Sequence, residues 1–280
     1  MTIQPLPVPT KIYGGEGLIS YATRHAARNG ASVEEIERAL THSGAIRMPR
    51  RRQSPEREQA WRELGALHHS AFSTPQEFHG AEAIARPLCL RCTDGTGGTG
   101  RLPRIGWVCI RHRRWLGTPQ HNIHALPELA AAERHYRRVL VPRVVLVDSP
   151  MMHMARECAI VGTGQNVLAQ RARRAGIPDP DLLAYPETVK VARLITSPSF
   201  NTRMLQTGLD PSGRHALSIR VTAHIFPEPD ENESWRAARR IAAIFNSIAR
   251  EIEKRASTEL PHSTQTSDTR LATAWTMRGK

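Results

Sequence analysis

The chain is poor in cysteine and in aromatic residues. Only four of its 280 residues are cysteines, and 5% are aromatic. Four cysteines are too few for the disulfide framework of a small secreted protein, and a chain of this length can build a core without disulfides. Three of the four belong to the motif described below, which leaves Cys158 without an evident partner. The cysteine content therefore predicts a reducing compartment, and we expect a cytoplasmic protein.

Long apolar runs are also missing. No segment approaches the roughly 20 consecutive apolar residues needed to cross a bilayer. The first nine residues, Met1 to Pro9, have neither a basic start nor an apolar centre, so they do not resemble a secretory signal. The sequence predicts no membrane partner.

The motifs of several enzyme classes are absent. The glycine-rich stretch Gly95–Gly100 has no Lys-Ser/Thr after it, as a phosphate-binding loop would require. A zinc deaminase needs His-x-Glu before its Cys-x-x-Cys, but no carboxylate stands two residues after His79. Neither Ser149 nor Cys158 belongs to a recognisable Ser-His-Asp or Cys-His arrangement. We therefore expect a protein without catalytic activity.

Positive charge exceeds negative charge. The chain has 39 lysine and arginine residues against 26 aspartate and glutamate residues, a formal net charge of +13. Most of the cations are arginines, whose guanidinium groups bind phosphate oxygens in a two-pronged geometry. This balance favours nucleic acid as a partner. The charge is also compatible with an acidic protein surface as the partner, or with a GC-rich genome that enriches arginine without any binding role.

The most specific motif is a set of four potential metal ligands. They are Cys89 and Cys92, followed after sixteen residues by Cys109 and His112. Two residues within each pair let a tight turn present both side chains to one ion, and this spacing is typical of structural zinc. The turn-rich segment Thr93–Gly100 predicts a hairpin that brings the second pair to the first. Because four ligands complete a tetrahedron, we expect one structural Zn²⁺ with no open coordination position.

Arginines crowd this motif, with tryptophans among them. Arginines can hold a phosphate backbone, and an exposed indole can stack on an unpaired base. For Trp107 the sequence favours packing beneath the zinc hairpin, because so small a module has few other apolar groups to bury. Whether the arginines contact DNA or form only a solvated surface stays open. The candidate nucleic-acid contacts are Arg101, Arg104, Arg111, Arg113 and Arg114 around the motif, and Arg50, Arg51 and Arg52 upstream.

Residues 1–46 predict a hairpin of two helices that resembles a helix-turn-helix. Apolar residues recur at helical spacing from Leu18, and Gly30 can end the first helix. Ser32 with Glu35 predicts a capping box at the start of the second helix. Its surface is expected to carry Glu34, Glu35 and Glu37. Because these charges would repel phosphates, we expect a structural or partner-docking hairpin rather than one that reads bases.

The rest of the chain predicts four segments. They are a basic linker and helix (47–80), the zinc-binding module (81–118), a helical C-terminal region (119–256) and a disordered tail (257–280). In the linker segment, Ser54-Pro55 predicts the start of a helix with Trp61, Leu64 and Leu67 on one side. The apolar run Val144–Val147 fits either a strand or a buried helix. The helix from Ser234 to Ala256 is expected to bury Trp235, Ala238, Ala242, Phe245, Ile248 and Ile252.

Two stretches of the sequence carry a family resemblance. The first runs from Pro7-Val8-Pro9 through Gly15–Tyr21 to Asn29-Gly30. The second is Cys89–Cys92 with Gly106–Arg113, where a tryptophan precedes the third ligand and Arg-His supplies the fourth. In order and spacing they resemble the TniQ family, proteins that help direct certain bacterial transposons to their targets, although Leu90 and Ile110 stand where that family typically has proline. The resemblance covers roughly the first 120 residues and implies zinc, DNA and the transposition machinery of a bacterial cytoplasm as partners.

The sequence thus predicts a mainly α-helical, non-catalytic protein with a central zinc ribbon-like module. We expect it to bind DNA in transposition targeting or DNA recombination. Its expected protein partner is a transposase, an ATPase regulator or a second copy of the chain. Two alternatives stay open. One is a transcriptional regulator that reads DNA through helices between Asn166 and Ile195, and the other is a zinc-stabilised adaptor that binds an acidic protein and no DNA.

Overall fold

The computed structural model describes residues 3–47, 54–73, 78, 84–206, 209–226 and 231–258. This part of the chain is mainly α-helical, as the sequence predicts, with eleven α-helices and four short strands. The chain divides into two compact units, Met1–His124 and Ala125–Lys280. The predicted arm residues Arg50, Arg51 and Arg52, and positions 259–280 of the predicted tail, lie outside the described residues. None of the described helices is both long and apolar enough to span a membrane.

Three helices begin the N-terminal unit. They are α1 (Leu18–Arg28), α2 (Val33–His42) and α3 (Pro55–Leu64). The predicted capping box of α2 is confirmed, because the Ser32 hydroxyl accepts from the Glu35 N–H at 3.1 Å and the Glu35 carboxylate accepts from the Ser32 N–H at 2.7 Å. The three helices share one apolar core, formed by Leu18, Ala22, Ala26, Trp61 and Leu64, with Val33, Ile36 and Leu40 packed against it.

Two expectations about these helices are wrong. The helix α3 ends at Leu64, and Ala66 then adopts a left-handed backbone with φ of 47°, so Leu67 lies beyond the helix. Glu37 does not face outwards as expected. Its carboxylate accepts a hydrogen bond from the Trp61 indole N–H at 2.9 Å and pairs with Arg57. Glu37 therefore fastens α2 to α3.

Four short strands follow in the same unit. Strand β1 (Ala85–Pro87) pairs antiparallel with β2 (Thr99–Arg101), and β3 (Val108–Cys109) pairs antiparallel with β4 (Arg114–Trp115). The expected hairpin over the turn-rich segment is therefore the connection of β1 to β2, while the second ligand pair has a hairpin of its own. Their small apolar core contains Leu88, Cys89, Leu102, Cys109 and Leu116.

The regular elements of the C-terminal unit are all helices among its described residues. Its α-helices are α4 (Pro127–His135), α5 (Pro150–Thr163), α6 (Gln165–Ala175), α7 (Pro180–Leu183), α8 (Tyr185–Ile195), α9 (Pro198–Met204), α10 (Pro211–Ile225) and α11 (Glu231–Thr258). A π-helical turn (Tyr136–Leu140) and a 3-10 turn (Val141–Arg143) continue α4. The helix α5 contacts both α8 and α11, α4 packs on α8, and α10 packs on α11.

The sequence predicts part of this core correctly. Val144–Val147 is neither strand nor helix: it is an irregular segment in which Val145, Leu146 and Val147 are buried. In α11, Ala238, Ala242 and Phe245 are buried as expected. Trp235 and Ile252 are instead 45% and 37% exposed. Trp235 still contacts α10, since its ring lies edge-to-face with that of His215 at a centroid distance of 6.0 Å.

Candidate metal centre

Four ligand atoms converge where the two strand pairs meet. The Sγ atoms of Cys89, Cys92 and Cys109 and a ring nitrogen of His112 all lie within 4.8 Å of one another. The His112 Nδ1 is 3.6, 3.2 and 3.7 Å from the sulphurs of Cys89, Cys92 and Cys109, respectively. The sulphurs of Cys92 and Cys109 are 3.8 Å apart. The four residues that the sequence singles out are thus brought together in a cluster that can hold one metal ion.

Each ligand pair is held by a tight turn. In the first, the Cys92 N–H donates to the Cys89 carbonyl at 2.9 Å. The hydroxyl of the fully buried Thr93 accepts from the Gly97 N–H at 3.1 Å, which braces the chain beyond that turn. In the second, Cys109 ends β3 and the chain reverses into β4 through Arg113, which has a left-handed φ of 45°.

Gln120 joins the two ligand turns. It follows the second hairpin, yet its side-chain carbonyl accepts from the Leu90 N–H at 3.0 Å and its amide donates to the Leu88 carbonyl at 2.6 Å. Both partners flank Cys89. The first ligand turn is therefore bonded directly to the segment that follows the second. No motif in the sequence identifies Gln120, because its partners lie thirty residues away.

Arg86 is a second residue that the sequence does not identify. Its buried guanidinium donates to the carbonyls of Gly106, Leu102 and Ile105 at 2.8, 2.9 and 2.6 Å. This fixes the loop that leads into β3. The guanidinium also lies over Trp107, 5.0 Å from the ring centroid. Arg86 therefore stabilises the module from inside, and its guanidinium is not available to a binding partner.

The two tryptophans of the module pack on each other. The rings of Trp107 and Trp115 stack with their centroids 5.5 Å apart. Trp115 is 3% exposed, while Trp107 is half-buried. The placement of Trp107 agrees with the expectation that it packs within the module, because one face is stacked and Arg86 lies over the ring.

Burial and the mutual proximity of the cysteines disfavour thiolates in the cluster. Cys89 and Cys109 are buried, and Cys92 is exposed. Burial, followed by the neighbouring Cys109 and Cys89, raises the pKa of the Cys92 thiol to about 12. Burial also raises the pKa of Cys109. A raised pKa favours the protonated thiol, whereas a bound divalent cation stabilises thiolates and reverses this preference.

The start of α1 packs against β2. The Gly17 N–H donates to the Thr99 carbonyl at 2.9 Å, and the Thr99 N–H donates to the Ser20 hydroxyl at 3.1 Å. The neighbouring Glu16 carboxylate is fully buried and accepts two hydrogen bonds from the Arg24 guanidinium, at 2.8 and 2.7 Å. The opening segment Gly15–Tyr21 and the metal cluster therefore belong to one packed structure.

Exposed arginines border the cluster. Arg111 lies between the ligands Cys109 and His112, and Arg113 directly follows His112. Arg91, which is not among the predicted contacts, lies between Cys89 and Cys92. The guanidinium groups of these three arginines are exposed and form no ion pair or hydrogen bond with any residue that the structure describes. The signal that could have found Arg91 is its place inside the first ligand pair.

The other predicted DNA contacts near the cluster already interact with the protein itself. Arg114 is half-buried and donates to the Gln120 carbonyl at 3.2 Å, so its guanidinium is partly engaged within the module. Arg101 and Arg104 are exposed, and each already has an interaction within the protein.

Neither a known family model nor a curated protein nor a solved structure matches the chain. What the protein does must therefore be inferred from the site itself.

Proposed function

We propose that the cluster holds one structural Zn²⁺. Zn–S bonds of about 2.3 Å and Zn–N bonds of about 2.0 Å in a tetrahedron place two sulphurs about 3.8 Å apart and a sulphur about 3.5 Å from a nitrogen. The observed S···S distance of 3.8 Å and N···S distances of 3.2, 3.6 and 3.7 Å are close to these values. Three thiolates and one imidazole are ligands that zinc prefers. Four protein ligands leave no position for a substrate, which supports a structural role.

The proposed activity is non-catalytic DNA binding through the two turns that hold the ion. The observation that carries it is the presence of exposed arginines in both turns, Arg91 in the first and Arg111 and Arg113 in the second. Because the four ligand atoms lie within 4.8 Å of one another, these turns are adjacent. The three exposed arginines therefore lie on adjacent turns, which suits the closely spaced phosphates of a nucleic-acid backbone.

In this proposal the metal ion assists DNA binding by holding the two ligand turns rigid. Short turns with exposed side chains lose conformational entropy when they bind, and this loss weakens the complex. An ion bound by both turns fixes their backbones in the free protein, so this part of the entropy is not lost when DNA binds. Arg111 and Arg113 would then need to order only their side chains on binding.

The resemblance to TniQ extends the proposal to a complex that acts in transposition targeting or DNA recombination. Gly17 of the first stretch is bonded to Thr99, which lies between the two parts of the second stretch, and this supports treating both stretches as one unit. A protein partner, whether a transposase, an ATPase regulator or a second copy, would dock elsewhere on the chain. The protein would bridge this partner and DNA.

In the transcriptional-regulator alternative, burial argues against α8 as the recognition helix but not against α6, in which Leu168 is the one buried residue. A recognition helix must present a face to the major groove. Eight of the eleven residues of α8 are buried, including Glu187 and Thr188, so little of this helix can face DNA. The adaptor alternative, in which the positive charge meets only an acidic protein, differs from our proposal in one measurable respect, which is affinity for DNA.

Fluorescence anisotropy across a salt series tests the proposal. Zinc-loaded full-length protein would be titrated onto labelled random duplex and single-stranded DNA, beside an Arg111→Gln/Arg113→Gln variant. Loss of two phosphate contacts should weaken binding and reduce the slope of log K against log salt by about 1.8 on duplex DNA. The matched control is Arg28→Gln/Arg38→Gln, which removes the same charge from exposed positions in the same unit.

Two results would count against the proposal. An equal loss of DNA affinity in the two double variants would mean that binding depends on net charge and not on the arginines of the ligand turns. Absence of binding by the wild-type protein at low salt would favour the adaptor.

A further inference from the structure

The C-terminal unit contains a cleft that the proposed function does not use. Its volume is about 730 Å³, and it lies among α4, α6 and α8. The floor is apolar, formed by Ala131, Ala132, Val167, Pro186 and Val189. Pockets of roughly 300 to 1,000 Å³ are typical of small-molecule sites, so the cleft has the size of such a site.

One end of the cleft is electrically balanced. Arg171 donates to both carboxylate oxygens of Glu187, at 2.7 and 2.9 Å. Arg174 on the next turn of α6 pairs with Glu128 of α4. Each cation in this part of the lining has its own carboxylate. The two pairs therefore contribute little net charge.

The other end carries unbalanced positive charge. Lys190 and Arg193 lie one turn apart on α8, and His135 lines the same end from α4. Arg138 lies 3.5 Å from the His135 ring, Nη2 to Nδ1. Arg143 lies close by and donates to the Arg193 carbonyl at 3.2 Å. No carboxylate among the described residues pairs with these four cations. Burial, together with Arg193, Arg138 and Arg143, lowers the pKa of His135.

The negative C-terminal ends of helices offset only part of this positive charge. The helix α8 ends here, and its C-terminus carries a partial charge of about −0.5, whereas α4 continues into the π-helical turn. One helix end thus offsets about half of one cation. Lys190 and Arg193 in the lining, with Arg138 and Arg143 beside it, leave more positive charge than a single carboxylate would neutralise, which suits a phosphate group or a pair of them.

We propose that this cleft binds a phosphorylated ligand of the nucleotide class. Its phosphates would lie at Lys190 and Arg193, and its planar base would lie on the apolar floor. This site is separate from the metal cluster in residues and in the chemistry of its ligand. It requires neither zinc nor DNA, so it goes beyond the function proposed above.

Isothermal titration calorimetry of the zinc-loaded full-length protein tests this inference. The probes are ADP without Mg²⁺, inorganic pyrophosphate and adenosine. ADP should bind with a stoichiometry of one and more tightly than either fragment, because only ADP occupies both ends of the cleft. No ADP binding at millimolar concentration, or pyrophosphate binding as tightly as ADP, would overturn the proposal.

Three variants locate the site. Arg193→Gln should weaken ADP binding about tenfold or more, since it removes a charged donor. Ala131→Leu fills the floor without changing charge, and should weaken binding of ADP but not of pyrophosphate. Arg173→Gln is the matched control, because Arg173 is exposed on α6 outside the lining. Circular dichroism would verify that each variant is folded, and equal ADP affinity in Arg193→Gln and Arg173→Gln would refute the site.

A fourth protein separates this inference from the proposed function. Arg111→Gln/Arg113→Gln should bind ADP as tightly as the wild type, even if its DNA affinity falls. Loss of ADP binding in that variant would place the nucleotide on the metal module and overturn the cleft proposal.

Discussion

Replacing Gly100 with alanine tests the close packing of β2 against the segment that precedes α1, through its effect on the free energy of unfolding. A Cβ atom at position 100 would lie 1.9 Å from the Gly15 carbonyl oxygen and 3.0 Å from the Glu16 Cα. Both atoms belong to the backbone, so no side-chain rotation can relieve the overlap. The opening segment would have to move away from β2.

The cost of this movement follows from the contacts that it breaks. The hydrogen bonds from the Gly17 N–H to Thr99 and from the Thr99 N–H to Ser20 would be lost or stretched, at about 1 kcal/mol each. Overpacking adds about 1 to 3 kcal/mol. Alanine recovers about 0.5 to 1 kcal/mol through the lower entropy of its unfolded chain. We expect Gly100→Ala to lower the free energy of unfolding of the N-terminal unit by about 2 to 4 kcal/mol.

Urea titration of the zinc-loaded protein, followed by tryptophan fluorescence, measures this change. Trp61, Trp107 and Trp115 lie in the N-terminal unit and report on it. Gly14→Ala is the matched control, because a Cβ at that position meets nothing within 4 Å. With a typical slope of about 1 to 3 kcal/mol per molar urea, the midpoint of Gly100→Ala should fall by about 1 M or more. Equal midpoints for the two variants would refute the packing argument.

Two further predictions concern the metal and the helix pair. Elemental analysis should find about one zinc per chain, and Cys92→Ser should lose it and aggregate, because structural zinc contributes roughly 10 kcal/mol or more to such modules. Cys158→Ser, in the other unit, should keep its zinc; a folded wild-type preparation without metal would contradict the site. Glu37→Gln should lower the free energy of unfolding in urea by about 2 kcal/mol, since it removes the carboxylate charge that pairs with Arg57. Glu34→Gln on the exposed face of the same helix should stay within about 0.5 kcal/mol, and a similar result for Glu37→Gln would show that its ion pair adds no stability.

Local motifs are the part of this structure that the sequence predicts well. The capping box of Ser32 and Glu35 and the spacing of Cys109 and His112 each involve residues three positions apart. Turn geometry alone brings such residues together, so no knowledge of the tertiary fold is needed. Bringing Cys89 to Cys109 requires a longer connection, but the shared preference for one ion makes that contact predictable as well.

Long-range contacts explain what the sequence does not predict. Gln120 and Arg86 look like ordinary polar residues. Only the folded chain shows that Gln120 bonds the backbone on both sides of Cys89 and that Arg86 bonds three backbone carbonyls. The irregular path of Val144–Val147 has a similar cause. The Tyr136 hydroxyl donates to the Val145 carbonyl at 3.0 Å, which satisfies a buried backbone group without a helix or strand. Apolar periodicity contains no information about such partners.

The metal cluster and the opening segment stabilise each other through β2. On one side, Leu88 and Leu90 next to the first ligand are held by Gln120. On the other side, Thr99 in β2 is bonded to Gly17 and Ser20 at the start of α1. The chain between Cys92 and Thr99 is short and braced by Thr93, so movement of the ligand turn must displace β2. A metal ion bound at the cluster would therefore stabilise the entry into α1 as well as the ligand turns, and would so connect the two stretches on which the proposed resemblance to the TniQ family rests.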